Sequence, residues 1–389
     1  MVDSDTHDPV AEAAALAPLI RESRDELDTA RRLTQSLVDG LDKAGLFRLG
    51  LPRSMGGPET NPITSFHAIE ELSKADGSVG WCAMLSSGTG VFTGWLEADV
   101  GQSMFGRPPD FRLAGSIRPE GRAIIADGGY IVTGQWDYAS GVNHANWLLC
   151  TCKVEDGNGP QLTDQGTPVT RVLLAPVNAA IIIDTWDVMG MRGTGSNDFV
   201  LNDVFVPDER TFSLLDTPRE EGPLYHPRFF FTGLWTQTVA NALGMARGAM
   251  NAFLELAAES GSTMSPTLLR DRPAAQSAVG EAEAIISGAR AYVLDSVGRA
   301  WQATSDGNQD PSREIAQSRL AITRGIRESV RAVDILFHAA GSNAVHRRHP
   351  LERFFRDIHV AAQHIAGLPS NIEAGGRVML GLEPGGPGW

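Results

Sequence analysis

The sequence predicts an α+β protein built in three parts: an N-terminal α-helical domain over 1–109, a small β-barrel or sandwich over 110–212, and a C-terminal four-helix bundle with a tail over 213–389. Three observations predict it. The apolar period is helical up to about residue 105, short and β-branched from about 110 to 212, and helical again after about 230. No Gly-x-Gly-x-x-Gly follows a strand and opens a helix, which argues against a dinucleotide-binding α/β fold.

The first region opens with "DPVAEAAALAPLIRESRDELDTARRLTQSLVDGLDKAGLF". Asp8 is placed to cap a helix and Pro9 suits its first position, because a proline lacks the N–H that is unpaired there anyway. "LPRSMGGPETNP" interrupts the helical pattern with Pro and Gly. Helix resumes through "ITSFHAIEELSKAD", stops at Asp76-Gly77 and restarts at "SVGWCAMLSSGTGVFTGWL".

In the second region "RAIIADGGYIVTGQW" reads as a β-hairpin around a Gly-Gly turn. "NWLLCTCKV", "VTRVLLAPV", "AAIIIDTWDV" and "DFVLNDVFVPDERTF" are further short strands, a spacing that fits a barrel or sandwich. In the third region Ala242, Met245, Ala246, Ala249, Met250, Phe253, Leu256 and Ala257 form an apolar stripe. Helical stretches near 273–304, 312–341 and 351–381 complete an antiparallel bundle, and "EPGGPGW" is expected to be a tail with no fold of its own.

A formal charge of −14 disfavours nucleic acid and anionic membrane as partners. No apolar run approaches the roughly 18 residues of a membrane span, and the acidic "MVDSDTHDPV" is unlike a secretory signal, so the cytoplasm is the expected location. Cys82, Cys150 and Cys152 form no Cys-x-x-Cys pair; the last two are expected buried on one face of a strand. No metal-ligand spacing appears: "HRRH" at 346–349 reads as a solvated basic turn. Within "WDYASGVNHANWLLC" at 136–150, the residues alone support a strand, a turn and a strand, with Ser140 and His144 in the turn.

Four stretches change that reading: "GGPETNPITSFHAIEELSKADGSVGW", "LAGSIRPEGRAIIADGGYIVTGQWDYASG", "WDVMGMRGTGSNDFVLNDVFVP" and "GSNAVHRRHPLERFFRDIHVAAQH". Taken in order, they resemble the acyl-CoA dehydrogenase superfamily. The resemblance implies a flavin held between the β-domain and the bundle, in a homotetramer whose flavin contacts cross a subunit boundary. Dehydrogenases of the family carry a catalytic Glu beyond an Arg-Asp pair. Here Arg356-Asp357 is followed by "IHVAAQHIAG", and His364 stands at about that place. In this the chain looks like the two-component, group D, flavin-dependent monooxygenases.

That likeness implies an oxygenase fed with reduced FMN, or FAD, by a separate NAD(P)H-dependent flavin reductase, working through a C4a-hydroperoxyflavin on a cyclic or aromatic small molecule. It assigns Ser140 to flavin N5 and His364 to proton handling as the catalytic pair. Trp136 becomes a wall of the ring site, Gly141 lets the backbone approach, and Thr194 and Ser196 of "MRGTGSND" are flavin contacts. Arg272 of "RDRPAAQSAVGEAEA" is the candidate for the flavin phosphate of a neighbouring subunit, with Arg270 as its rival. "AAGSNAV" at 339–345 keeps only Gly341 of the turn that FAD-binding relatives set against adenosine, which favours FMN.

Phenol hydroxylases of the group often carry a His after the Gly-Trp pair; "GWCAMLSSGTGVFTGWLEADV" has none. Ser86, Ser87 and Thr89 could only hydrogen-bond a substrate, and Trp81, Met84 and Phe92 are the candidates to line its pocket. His359 competes with His364; five residues apart on a helix, the two would point about 140° away from each other. Two alternatives remain open: a dehydrogenase-like enzyme using FAD with a displaced base, Glu373, and a non-catalytic binding module.

Overall fold

The computed structural model describes residues 8–107, 111–262, 265–308, 310–385 and 389. Asp8 caps the first helix as its residue type requires: its Oδ1 accepts the Val10 N–H at 2.9 Å, and Pro9 takes the first turn. The long helical stretch that follows is broken into α1 (Pro9–Ala15), α2 (Ala17–Glu22), α3 (Arg24–Ala30) and α4 (Gln35–Lys43). Arg31, left-handed at φ 53°, ends α3. After the Gly/Pro stretch come α5 (Pro62–Ala75), α6 (Gly77–Gly90) and α7 (Ala98–Phe105). α6 is apolar nearly all round and is buried accordingly.

The β region comprises β1 (Leu113–Ala126), β2 (Gly129–Trp136), β3 (Trp147–Asp156), β4 (Gly159–Pro160), β5 (Thr170–Pro176), β6 (Ile181–Ile183), β7 (Asp198–Pro207) and β8 (Thr211–Phe212). β1 and β2 form the expected hairpin, closed by Asp127 and Gly128. The strands form one mixed sheet in the order β6-β7-β2-β1-β3-β5-β8, with β4 paired to β3. β6 and β8 end this order, so the hydrogen-bonded ladder is one open path. β1 and β3 run parallel while the other pairs are antiparallel.

Alternation along the strands separates two cores. Ala123, Trp136, Cys150, Cys152, Leu173 and Phe199 pack on one face. Leu113, Leu149, Val172 and Leu174 pack on the other, against Phe92 and Phe105 of the helical region and Phe111 just before β1. All three cysteines are buried free thiols.

The C-terminal region is built on α8 (Phe230–Glu259), α9 (Pro273–Ser305) and α10 (Ser312–Ala340), which pack on one another, while α5 of the first region packs along α8. The last expected helix is split into α11 (Pro350–Ala361) and α12 (Ser370–Met379). The tail is not free: the Arg319 guanidinium lies 4.2 Å from the Trp389 ring and 4.9 Å from Trp235. Among the described residues, no helix is long and apolar enough to cross a membrane, and no group of three or more His, Cys, Asp or Glu could hold a metal ion.

Candidate active site

The site grows from the buried carboxylate of Asp76. Its Oδ1 accepts the N–H groups of Ser78 and Val79 at 2.9 and 3.4 Å and so starts α6; its Oδ2 faces Arg353 of α11 at 3.2 Å. α6 then presents Trp81, whose Nε1–H donates to Ser140 Oγ at 3.1 Å. The same indole meets His364 edge-on, with ring centroids 5.5 Å apart at 83°. One tryptophan thus joins two residues more than two hundred positions apart.

Ser140 sits in the turn after β2. Gly141 takes φ 81°, a conformation costly for any side chain, and its N–H donates to Thr194 O at 2.8 Å. This ties the turn to the 189–197 loop. Ser140 Oγ lies 2.7 Å from Ser196 Oγ, which lies 2.7 Å from Thr194 Oγ1, which donates to Met191 O at 2.8 Å. All three hydroxyl residues are buried.

The loop is held from below by the Arg-Asp pair. Asp357 Oδ1 accepts the Met191 N–H at 2.5 Å, and Arg356 Nη1 donates to Met189 O at 2.5 Å. Gly190 fits between them because it has no side chain: a Cβ there would lie 2.3 Å from Arg356 O. Burial, reinforced by the Asp76 charge, pushes the Asp357 carboxyl up to about 7 despite the Met191 N–H and two arginines. Arg192 turns away and donates to Asp28 O at 3.0 Å.

His364 lies in the break after α11, not on a helix as expected, so the helical angle between it and His359 does not apply. Its Nδ1 accepts the Ala366 N–H at 3.3 Å. Burial pulls its pKa down to about 4, so the ring is neutral at pH 7 and carries its proton on Nε2. His359 is engaged elsewhere, with Nε2 2.9 Å from Asp334 Oδ1 and its ring against Phe355.

Several sequence-based expectations are corrected. Trp136 has no exposed face; it stacks on Phe199 at 5.1 Å and donates to Thr151 O within the β core, so the wall near Ser140 is Trp81. Met84 and Phe92 are buried in separate cores, Phe92 edge-on to Phe230 at 4.7 Å; of the three lining candidates only Trp81 reaches the cluster. Ser86 Oγ accepts the Leu113 N–H, Ser87 donates to Gln237, and Thr89 bonds back to its own helix. His144 lies in the turn as expected but is half-buried against Phe47, and desolvation lowers its pKa to about 3.

Arg272 opens α9 and donates to Thr267 O at 3.0 Å, while Arg270 faces Asp271; neither bonds to the Ser140 cluster. Glu373 is exposed on α12. Sequence reasoning missed the roles of Asp76, Asp357 and Gly190. The signals were present, an Arg-Asp pair and a Gly beside Met191, but their contact spans 166 positions.

Comparison with known proteins identifies the family. The family models described as acyl-CoA dehydrogenase, N-terminal domain, and acyl-CoA dehydrogenase, C-terminal domain, match residues 11–97 and 237–367. The fold is that of the acyl-CoA dehydrogenase superfamily. Indole-3-acetate monooxygenase of Acinetobacter baumannii is 30% identical over 387 residues, covering 98% of this chain and 96% of that protein. The oxygenase component of a FADH2-dependent resorcinol hydroxylase from Rhizobium sp. is 32% identical over 403 residues, covering 97% and 95%. The crystal structure of the HsaA monooxygenase of M. tuberculosis superposes with a TM-score of 0.87 at 29% identity, over 100% of both chains. The chain belongs to the flavin-dependent monooxygenases of this superfamily.

Proposed function

We propose that this protein is the oxygenase component of a two-component flavin-dependent monooxygenase that inserts one oxygen atom into a small aromatic or cyclic molecule. The reading is carried by one observation: a buried hydroxyl, Ser140, and a neutral imidazole, His364, meet on one indole, Trp81. By resemblance His364 stands at about the place where dehydrogenases of the family keep their base, and Glu373 is exposed, which disfavours dehydrogenation. The residues suit an isoalloxazine: hydroxyls and a left-handed turn are gathered in a site that excludes water.

Bound reduced flavin supplies the two electrons that activate dioxygen. Ser140 hydrogen-bonds the ring, with Thr194 and Ser196 holding it in place. His364, neutral with its proton on Nε2, would donate that proton to oxygen at the reacting centre. A separate NAD(P)H-dependent reductase delivers the flavin in the cytoplasm. Arg272, at the surface end of α9, binds the flavin phosphate of a neighbouring subunit in a homotetramer. The resorcinol hydroxylase relative is FADH2-dependent, so FADH2 is to be titrated beside FMNH2.

The test is anaerobic titration with each reduced flavin, followed by mixing with dioxygen. Micromolar binding and slow, protein-dependent release of hydrogen peroxide are expected. Absence of binding by both flavins contradicts the proposal.

A further inference from the structure

The proton assigned to His364 can sit on either ring nitrogen, and the loop after α11 decides between them. Nδ1 accepts the Ala366 N–H at 3.3 Å, as a capping residue does at the start of a turn. A peptide N–H only donates, so Nδ1 presents its lone pair and the neutral ring is protonated on Nε2. The Ala366 N–H belongs to the same peptide unit as the Ile365 carbonyl. That carbonyl accepts the Asn371 Nδ2–H at 2.8 Å and the Leu368 N–H at 3.2 Å. One peptide plane is thus held at its oxygen while its nitrogen donates to His364. Hydrogen bonds at the oxygen also polarise the N–H and strengthen its donation.

The next carbonyl, Ala366 O, accepts Thr323 Oγ1–H from α10 at 2.8 Å and Asn371 Nδ2 from α12 at 3.3 Å. Both Asn371 contacts are to carbonyls, which only accept, so the orientation of its amide is fixed with the NH2 towards the loop. Thr323 departs from other buried hydroxyls of α10. Ser318 and Ser329 bond back to Ile315 O and Gly325 O of their own helix, whereas Thr323 crosses to the loop. Thr323 is fully buried and Asn371 is 6% exposed, so water is poorly placed to replace either bond.

We infer that Asn371 and Thr323 are positioning residues that hold the Ile365–Gly367 loop so that His364 keeps its proton on Nε2. The inference rests on the proposed function, in which His364 is the proton donor, and names what fixes that donor.

The ring 15N shifts of histidine-labelled, flavin-free protein at pH 7 report the tautomer directly. His364 is assigned by its absence from His364→Asn. Wild type should show the Nε2–H form. Asn371→Leu keeps the volume and removes both amide bonds; the ratio of Nε2–H to Nδ1–H ring should fall at least about fivefold. Thr323→Val should lower the ratio about threefold, and Thr323→Ser, which keeps the hydroxyl, should match wild type. Reduced-flavin affinity should stay within about twofold throughout, because the bonds removed go to the His364 loop and not to the Ser140 cluster.

An Nδ1–H ring in wild type, or an unchanged ratio in Asn371→Leu, would overturn the inference. If Asn371→Leu fails to fold, the comparison of Thr323→Val with Thr323→Ser decides in the same way. A tautomer shift matched by an equal loss of flavin affinity would show general loosening and also overturn it. Wild-type protein that binds no reduced flavin contradicts the proposed function instead, since the tautomer is read without flavin.

Discussion

Asp357 offers a prediction that can be worked through in numbers. Its Oδ1 accepts the buried Met191 N–H at 2.5 Å. The arginines around it have other carboxylates: Arg353 faces Asp76, and Arg356 binds Glu352. Asp357→Ala therefore strands one backbone donor without orphaning a charge, which predicts a loss of about 2 kcal/mol of unfolding free energy. Asp357→Asn keeps an oxygen in the same place and should cost less than about 1 kcal/mol. The pH dependence has a definite sign. The native carboxyl titrates at about 7, well above about 3.9 in an unfolded chain, so the native state holds the extra proton between these values. Wild-type stability from this group is fully present at low pH and falls as pH rises towards 7. The asparagine variant lacks that slope, so its deficit is largest near the acid end and shrinks by pH 8. Urea unfolding of the three proteins at several pH values measures both effects. An alanine variant within about 0.5 kcal/mol of wild type, or an asparagine variant as costly as alanine at pH 8, would refute the loop-clamp reasoning.

Two further outcomes follow from the same geometry. Gly190→Ala places a Cβ 2.3 Å from Arg356 O and must shift the 189–197 loop; flavin affinity should fall at least tenfold, while Gly280→Ala, in open space on α9, should stabilise by about 0.5–1 kcal/mol. Titration by calorimetry and thermal melts of the pair check this, and equal flavin affinity in both variants would contradict it. His364, with a native pKa of about 4 against about 6.5 unfolded, binds fewer protons when folded; its contribution is present above 6.5 and lost as pH falls towards 4. His364→Asn should flatten the fall in urea midpoint between pH 6.5 and 4, and an unchanged slope would show that the imidazole is not desolvated.

The fold was legible where local physics decides it. Helical and β-branched periods marked the order of the three regions, Asp8 marked the first cap, and Asp76-Gly77 the junction of α5 and α6. The break after α1 is marked by Pro18 in the first turn of α2, a signal that apolar periodicity alone passes over, whereas the break after α2 was not legible, because Ser23 keeps right-handed dihedrals and has no Gly or Pro beside it. The strand order depends on the parallel pairing of β1 with β3 and on the antiparallel pairing of β2 with β7 from far along the chain, which no local pattern encodes. Ser140, Thr194, Ser196 and His364 were found through motif resemblance, and the structure gathers them with Trp81. The choice of Trp136 over Trp81 failed for a packing reason. Gly121 and Gly134 leave room for the Trp136 ring inside the sheet, a Cβ at Gly121 lying 2.1 Å from it.

The central claim is that Ser140 controls the fate of oxygen at a bound reduced flavin, and one measurement reaches it most directly. Wild type and Ser140→Ala, each loaded with reduced flavin, are mixed with dioxygen while oxygen consumption and the return of oxidised-flavin absorbance are followed together. In wild type the absorbance should lag behind oxygen uptake; in Ser140→Ala the lag should shorten by at least about tenfold, with hydrogen peroxide appearing correspondingly sooner. The same lag in both proteins, at equal flavin occupancy, would contradict the account.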